Sequence, residues 1–413
     1  MQRAWVLVAI TALLAFMMLA TGFPFFTRMV YIFGILLVAG FVWAWLLAQG
    51  VEVEARRPAL RTRAGLALTE RVLVRRRNRL LRGFIEVRET TDMPIKAPGA
   101  VVGMEGRDQE SINLTIPCPQ RGIYTLGPLR AEASDPLGLF RLRKSAGGAQ
   151  RLVVHPATIE LPGFVLLPAD LPGEGRIHLR SQTVTNSAYS VRDYVYGDSL
   201  NRIAWKSSAH HQKLLVKEFE MEPANNIWVL ADLERRANQG AAGRAIEETV
   251  ITVSASIAKR YIDGGYPVGF FAYGNERFAL APQRGPGHLL RIFDALAELR
   301  ALGTASLLDV IAALQSRTGR YTSIAIVTPA KDSEWLDGVR HLMMRRSRVA
   351  VVCVDGEAAS RDALPAAARQ VAAMGVPTYT VRAGAEQTAG LTAISAPTAY
   401  ESPVAQAARI PTA

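Results

Sequence analysis

Two charge-free apolar runs open the chain, Ala4–Phe26 and Met29–Val51. Each can supply the roughly 20 residues that cross the hydrocarbon core of a bilayer. The segment between them, centred on Phe23-Pro24-Phe25-Phe26-Thr27-Arg28, is long enough only for a tight turn. Phe23, Phe25, Phe26, Tyr31, Trp43 and Trp45 stand where an interfacial aromatic belt is expected. The pattern predicts a transmembrane helical hairpin over 1–50. A cleaved signal peptide explains less, because the second run follows at once and no small-residue cleavage site separates the two.

From 51 to 170 the period changes to two. Val51-Glu52-Val53-Glu54, Val72-Leu73-Val74-Arg75, Ile85-Glu86-Val87-Arg88 and Ile112-Asn113-Leu114-Thr115-Ile116 alternate, the last most strictly. Turn residues at Pro94, Pro98-Gly99, Pro119 and Asp135-Pro136 separate them, and no long helical period intervenes. Short strands at this spacing predict a β-rich, sandwich-like domain. The basic stretch Arg75–Arg82 reads as the solvated face of a strand rather than a binding face.

A further domain is expected over 171–384. Arg176–Thr185 reads as a strand, and the most motif-dense part of the chain runs from Ser190 to Glu222. Thereafter apolar runs of strand length alternate with helical periods. Ile227–Ala231 is continuously apolar and ends in Asp232, as a buried parallel strand would. Ala242–Ile262 places Ile246, Val250, Val253 and Ile257 on one helical face. Val268–Tyr273 and Arg277–Ala281 predict a hairpin around Gly274-Asn275. Further helices are expected over His288–Arg300, Ser306–Ser316, Trp335–Arg345 and Ala363–Met374, and strands over Ile324–Val327, Val349–Val354 and Thr378–Val381. This order predicts an α/β fold, a doubly wound, mainly parallel sheet with one antiparallel edge, of von Willebrand factor A-like type. A dinucleotide-binding fold is disfavoured, since Asp232-Leu233-Glu234-Arg235-Arg236 stands where a Gly-rich phosphate turn would be. The Ala-, Thr- and Pro-rich tail, 385–413, is expected to be disordered.

Charge settles orientation and narrows the partners. The 413 residues carry a formal net charge of +12. The hairpin loop holds only Arg28, whereas Arg56, Arg57, Arg61 and Arg63 follow the second run and Arg3 precedes the first. The positive-inside rule therefore expects both termini and the soluble domains in the cytoplasm, tethered to a bacterial inner membrane. Attraction to anionic lipid headgroups accounts for part of the basic excess, and no nucleic-acid partner is needed. Cys118 and Cys353 are too few for a disulfide framework or a thiolate metal site.

One block of residues carries a family resemblance. Arg192-Asp193-Tyr194-Val195-Tyr196-Gly197-Asp198, then Arg202-Ile203-Ala204-Trp205-Lys206, then Leu215-Val216-Lys217-Glu218-Phe219-Glu220 resemble the signature of the bacterial family called domain of unknown function 58. Upstream, Arg121–Pro128 (Arg-Gly-Ile-Tyr-Thr-Leu-Gly-Pro) and Asp135–Phe140 (Asp-Pro-Leu-Gly-Leu-Phe) resemble a second block common in its members. The resemblance implies a von Willebrand factor A-like C-terminal half and a MoxR-type AAA+ ATPase as partner. The residues also bear a physical reading. Asp198 or Ser199 is placed to cap a short helix carrying Arg202 and Trp205, and Arg192 is close enough in sequence to pair with Asp198. Trp205 is expected to bury its indole with Lys206 at the rim. Arg192, Tyr194, Gly197, Asp198, Arg202, Trp205 and Lys206 thus form either a structural clamp or a partner-binding surface.

Metal and catalytic chemistry find little support. Adhesion domains of the von Willebrand type hold a divalent cation through Asp-x-Ser-x-Ser, a distant Thr and a later Asp, because hard cations need several converging oxygens. Here Asp232 fills the first position, Glu234 and Arg236 replace the serines, Thr304 matches the distant Thr, and Thr328-Pro329-Ala330 lacks the later Asp. No metal or other cofactor is expected. The pair His210-His211 reads as solvated or partner-contacting. No nucleophile elbow, zinc helix or phosphate loop is present, so no catalytic residue is assigned and no enzyme is expected. The expectation is a membrane-tethered interaction or scaffold protein. The rivals are a metal-dependent adhesion or chaperone module at Asp232 and a hydrolase using the Arg192–Lys206 cluster.

Overall fold

The computed structural model describes residues 2–57, 60–76, 83–103, 109–166, 190–195, 203–218, 226–240, 242–319, 322–356, 366–384 and 392–395. Among these the chain is a mixed α/β protein that opens with two apolar helices, α1 (Gln2–Thr21) and α2 (Pro24–Gln49). Both are long and apolar enough to cross a membrane, each with a mean hydropathy of 2.3. The turn between them is shorter than Phe23–Arg28. Gly22 takes a left-handed φ of 64°, and Pro24, whose φ is fixed and whose missing N–H costs nothing in a first turn, starts α2 at once. The chain divides into two compact units, Met1–Ala157 with Phe293–Glu298, and Thr158–Ile292 with Leu299–Ala413.

Ten strands follow the helices in the first unit: β1 (Val51–Arg56), β2 (Arg61–Arg63), β3 (Ala67–Arg76), β4 (Phe84–Arg88), β5 (Gly99–Gly103), β6 (Gln109–Pro117), β7 (Gly122–Leu126), β8 (Leu129–Ser134), β9 (Arg141–Ala146) and β10 (Gln150–His155). They form sheets ordered β1-β3-β6, β5-β4-β8-β9 and β2-β10-β7. The first two share a core. Val51, Val72, Val74 and Leu114 from one meet Ile85, Val87, Val102, Leu129 and Ala131 from the other. Strand side chains alternate between faces, so one apolar series per strand is enough to build that core.

The same alternation carries three charges inside. Arg57 continues Val51, Val53 and Ala55; Glu70 precedes Val72 and Val74; Glu89 follows Ile85 and Val87. The Arg57 side chain is 5% exposed and those of both carboxylates are 0%. Arg57 Nε lies 3.3 Å from Glu70 Oε1, and its Nη2 donates to Glu89 Oε2 at 3.1 Å. Burial, then the hydrogen bond and charge of Glu89, push Glu70 up to about 7, and Arg57 only partly offsets them.

The second unit begins with β11 (Ser190–Asp193), α3 (Trp205–His211) and β12 (Leu215–Glu218), where β11 and β12 pair antiparallel. Next come β13 (Ile227–Ala231), α4 (Gly243–Asp263), β14 (Val268–Tyr273), β15 (Arg277–Gln283), α5 (Pro286–Glu298, whose last six residues group with the first unit) and α6 (Leu307–Gln315). The chain closes with β16 (Ser323–Thr328), α7 (Leu336–Met344), β17 (Arg348–Asp355), α8 (Ala366–Ala373), β18 (Thr378–Arg382) and β19 (Thr392–Ser395). Seven strands make one sheet in the order β15-β14-β13-β16-β17-β18-β19. β14, β13, β16, β17 and β18 are parallel, and both edge strands are antiparallel. α6, α7 and α8 cover one face, through Ile311, Leu314, Val339 and Val371 against Trp228, Leu230, Ile324 and Val351. α4 lies along β13, β14, β16 and β17. Every residue of β13 and β16 is buried, as their unbroken apolar character requires.

Three expectations meet the structure differently. The stretch 158–166, read as the end of the β-rich domain, packs with the second unit. Val165 N and Leu166 N donate to the hydroxyls of Tyr379 (3.0 Å) and Tyr261 (2.8 Å). Thr392–Ser395, read as part of a disordered tail, forms β19. Its β-branched Thr392 and Ile394 suit the open edge of β18, and Ile394 packs on the core. The strand expected over Arg176–Thr185 and most of Arg75–Arg82 lie outside the described residues.

Candidate functional site

Two features of the second unit concentrate chemistry. The first is the end of the sheet where β13 and β16 release the chain in opposite directions, the switch point at which doubly wound sheets place ligands. Asp232, one residue beyond β13, is buried at 1% exposure. Its Oδ2 accepts from Thr328 Oγ1 at 2.6 Å and its Oδ1 from Glu234 N at 3.1 Å, while its own N–H donates to Val327 O. Burial raises its pKa to about 6 against the pull of those hydrogen bonds, helped by the charges of Glu234 and Asp332. Glu234 is also raised, by burial first and then by Asp332.

Backbone hydrogen bonds hold this turn open. Gly303 N donates to Leu233 O at 3.0 Å, Arg235 N donates to Gly303 O at 2.9 Å, and Asn238 Nδ2 reaches Glu234 O at 2.9 Å. Only glycine fits at 303, because a Cβ would run into the carbonyl of Tyr273. A cleft of about 630 Å³ results, lined among others by Glu234, Arg236, Ser306, Lys331, Asp332 and Glu334. Ser306 begins α6 with a reciprocal capping box to Asp309, which holds that wall in place. Thr304 is exposed beside it. Among the described residues, no three His, Cys, Asp or Glu side chains are arranged to hold a metal ion. Asp232 Oδ2 joins the ends of β13 and β16 through Thr328, and Oδ1 holds the turn after β13 through Glu234 N. The sequence reading missed Thr328 and Asp332. Thr328 stands where a metal-binding Asp was sought, and its side chain contacts the first-position Asp directly.

The second feature is the signature segment. Strand β11 holds Arg192 opposite Val216 of β12, and Asp193 opposite Leu215. Lys213 Nζ pairs with Asp193 Oδ1 at 2.7 Å on the surface. α3 packs behind this ribbon through Ser208, whose Oγ accepts from Leu215 N at 2.9 Å. The expectation that Trp205 is a buried clamp fails, because its indole is 66% exposed. The helix starts at Trp205, and Ala204 takes the N-cap position expected at Asp198 or Ser199, with Arg202 ahead of the helix in sequence. The contacts to the ribbon are made by Ile203, Ala204 and Ser208, and a first-turn residue on the other side is turned to solvent. Val191, Val195 and Leu214 are exposed as well, at 42%, 63% and 47%. Lys206 is exposed, Tyr194 half-buried, and the His210 and His211 rings meet edge-on at 5.3 Å on the surface. Gly197, Asp198 and Arg202 lie outside the described residues.

Comparison with known proteins places this segment at the start of a family domain. Residues 190–369 match the family described as protein of unknown function DUF58. The chain is 32% identical over 125 residues to the uncharacterized protein YeaD of Bacillus subtilis, covering 30% of this chain and 29% of that protein. Among solved structures, a chain of the human complex of zinc 2-glycoprotein with prolactin inducible protein is 8% identical. That match covers 25% of this chain and 93% of the other at a TM-score of 0.20. The CARDB domain of a Pyrococcus furiosus protein is 15% identical, covering 25% of this chain and 86% of the other at a TM-score of 0.19.

Proposed function

We propose that this chain, which belongs to the DUF58 family through residues 190–369, is a non-catalytic docking protein anchored in a bacterial inner membrane. The observation that carries the proposal is the exposed apolar set on the family signature: Trp205, Val191, Val195 and Leu214, with Lys206 and Lys213 beside it. A tryptophan two-thirds exposed in a motif-dense segment is the kind of residue that anchors an interface. The docked protein is a MoxR-type AAA+ ATPase, which the family resemblance implies. The second unit is von Willebrand factor A-like. In support, the order β15-β14-β13-β16-β17-β18-β19, parallel from β14 to β18, is that of a doubly wound sheet, with β15 reversed at one edge as expected and β19 reversed at the other. The first unit is a β-sandwich, supported by the core shared between two of its sheets. The helices cross the bilayer with both units on the cytoplasmic side, in keeping with Arg56, Arg57, Arg61 and Arg63 after α2 against Arg28 alone in the hairpin turn.

The test is capture of the ATPase by detergent-solubilised full-length chain. Trp205→Ala is expected to reduce capture by about ten-fold or more, as loss of an interface anchor of 2 kcal/mol would. Its thermal unfolding should match wild type, since truncating an exposed residue leaves stability nearly unchanged. Undiminished capture by Trp205→Ala would remove this surface from the proposal. A fall in melting temperature of several degrees would show the indole to be a clamp.

A further inference from the structure

The Asp135–Phe140 turn, part of the second family-like block, has no place in the docking proposal. It joins β8 to β9 in the first unit and is held together internally. Asp135 is 3% exposed, its Oδ1 accepting from Phe140 N at 2.6 Å and its Oδ2 from Leu137 N at 3.0 Å. Gly138 N closes onto Asp135 O at 3.0 Å, with Gly138 at φ 66°. A carboxylate accepting two backbone N–H groups makes the turn a preformed shape. What it presents outward is Pro136 and Leu137, the latter 54% exposed.

This turn leans on α2, well before the end of that helix. Phe140 meets Phe41 edge-on with ring centroids 5.7 Å apart. A Cβ on Gly40 would lie 3.4 Å from the Phe140 ring and 3.6 Å from Asp135 Oδ2. Gly40 is nine residues short of Gln49, about 14 Å along the axis at 1.5 Å per residue. α1 and α2 are antiparallel and joined by two residues, so Ala4, where the charge-free run of α1 begins after Arg3, lies at about the level of Phe41. On α1 that level is where the charge-free run ends, while α2 stays apolar to Gln49. One face of the last turns of α2 is covered by protein, at Ala44 (0% exposure) and Leu47 (3%), while Trp45 remains exposed at 48%.

We infer that the Pro136-Leu137 tip is a second membrane contact, seated in the headgroup–acyl boundary of the leaflet from which α2 emerges. The occupant is lipid, because the tip borders α2 at the level where the charge-free run of α1 ends and where one face of α2 begins to be covered by protein. Exposed Arg141, next after the turn, supplies a charge suited to anionic headgroups. An apolar tip at this level enters a bilayer by about 5–10 Å, the depth of interfacial segments. The inference rests on the reading that α1 and α2 cross a bilayer, and the experiment separates the two.

Full-length chain is reconstituted into vesicles of phosphatidylethanolamine and phosphatidylglycerol. Single cysteines labelled with an environment-sensitive fluorophore replace Leu137, Pro136, Ala149 and Ile35 in separate variants. The native thiols are buried and do not compete. Ala149 is exposed beyond the far end of β9, whose six residues span about 20 Å. Nitroxide lipids labelled near the headgroup should quench Leu137→Cys and Pro136→Cys several-fold more than Ala149→Cys, while nitroxides deep in the acyl chain quench Ile35→Cys. If Ile35→Cys is quenched but positions 136 and 137 behave like 149, the tip does not touch lipid and the inference is wrong. If Ile35→Cys is not quenched either, the membrane reading falls and takes the inference with it.

Discussion

Glu70→Gln should remove a pH dependence confined to the first unit. Glu70 sits on the core face of β3 at 0% exposure, with Glu89 sharing Arg57, its cationic neighbour among the described residues. A carboxyl raised from 4.5 to about 7 on folding favours the folded state fully below pH 4.5, and that advantage is lost as pH rises through 7. At about 1.36 kcal/mol per pH unit, the gap corresponds to about 3 kcal/mol, or about 300-fold in an opening equilibrium, of which about 100-fold falls between pH 5 and pH 8. The two native cysteines provide the assay, because one is buried in each unit. Cys118 packs beside Leu68 on the same strand as Glu70, and Cys353 lies in the core of the second unit. Alkylation of either requires opening of its surroundings, and the ratio of the two rates cancels the intrinsic pH dependence of thiolate formation. In wild type the Cys118/Cys353 ratio should climb toward that 100-fold between pH 5 and pH 8. In Glu70→Gln, which keeps the shape and a donor for Glu89 without a charge to lose, it should stay nearly flat. A ratio that climbs equally in both would refute the argument and assign the pH dependence to other groups.

Other outcomes follow from single contacts. Trp335→Ala removes the largest fully buried side chain among the described residues and its Nε1 hydrogen bond to Asp332 O at 3.0 Å, so it should cost about 3–5 kcal/mol, read as faster Cys353 alkylation with Cys118 unchanged. Calorimetry with magnesium or calcium should detect no binding up to millimolar concentrations, since Thr328 and Glu234 N already engage Asp232; one-to-one binding lost in Asp232→Ala would contradict this. A topology reporter fused after Ala413 should report a cytoplasmic location, and a periplasmic signal would overturn both the orientation and the docking of a cytoplasmic ATPase.

The α/β half of the chain was legible because each of its elements is decided locally. Ile227–Ala231 and Ile324–Val327 are apolar throughout, and only a strand buried on both faces needs that. The spacing of Ile246, Val250, Val253 and Ile257 marked α4 in the same way. What escaped depended on pairing between distant segments. Whether Trp205 faces in or out is set by how α3 leans on β12, ten residues further on, and nothing in its own neighbourhood says which side that is. The Asp232–Thr328 contact joins strands 96 residues apart, and a search for Asp at the second position passed over the hydroxyl that was there. The buried Arg57, Glu70 and Glu89 were readable, since each extends an alternating apolar series by one step. They were passed over because charged residues are seldom assigned to a core face.

A single residue, Gly50, lies between the end of α2 at Gln49 and the start of β1 at Val51, which is itself 4% exposed. With α2 also packed against β8 and β9, a joint that short leaves the helix and the sheets to move together. In a bilayer crossed by these helices, a change in thickness that alters their tilt is therefore transmitted to the sheets as rotation of the whole first unit, and not absorbed by a linker. On the proposed membrane reading, the first unit is a lever whose angle follows the lipid around α1 and α2.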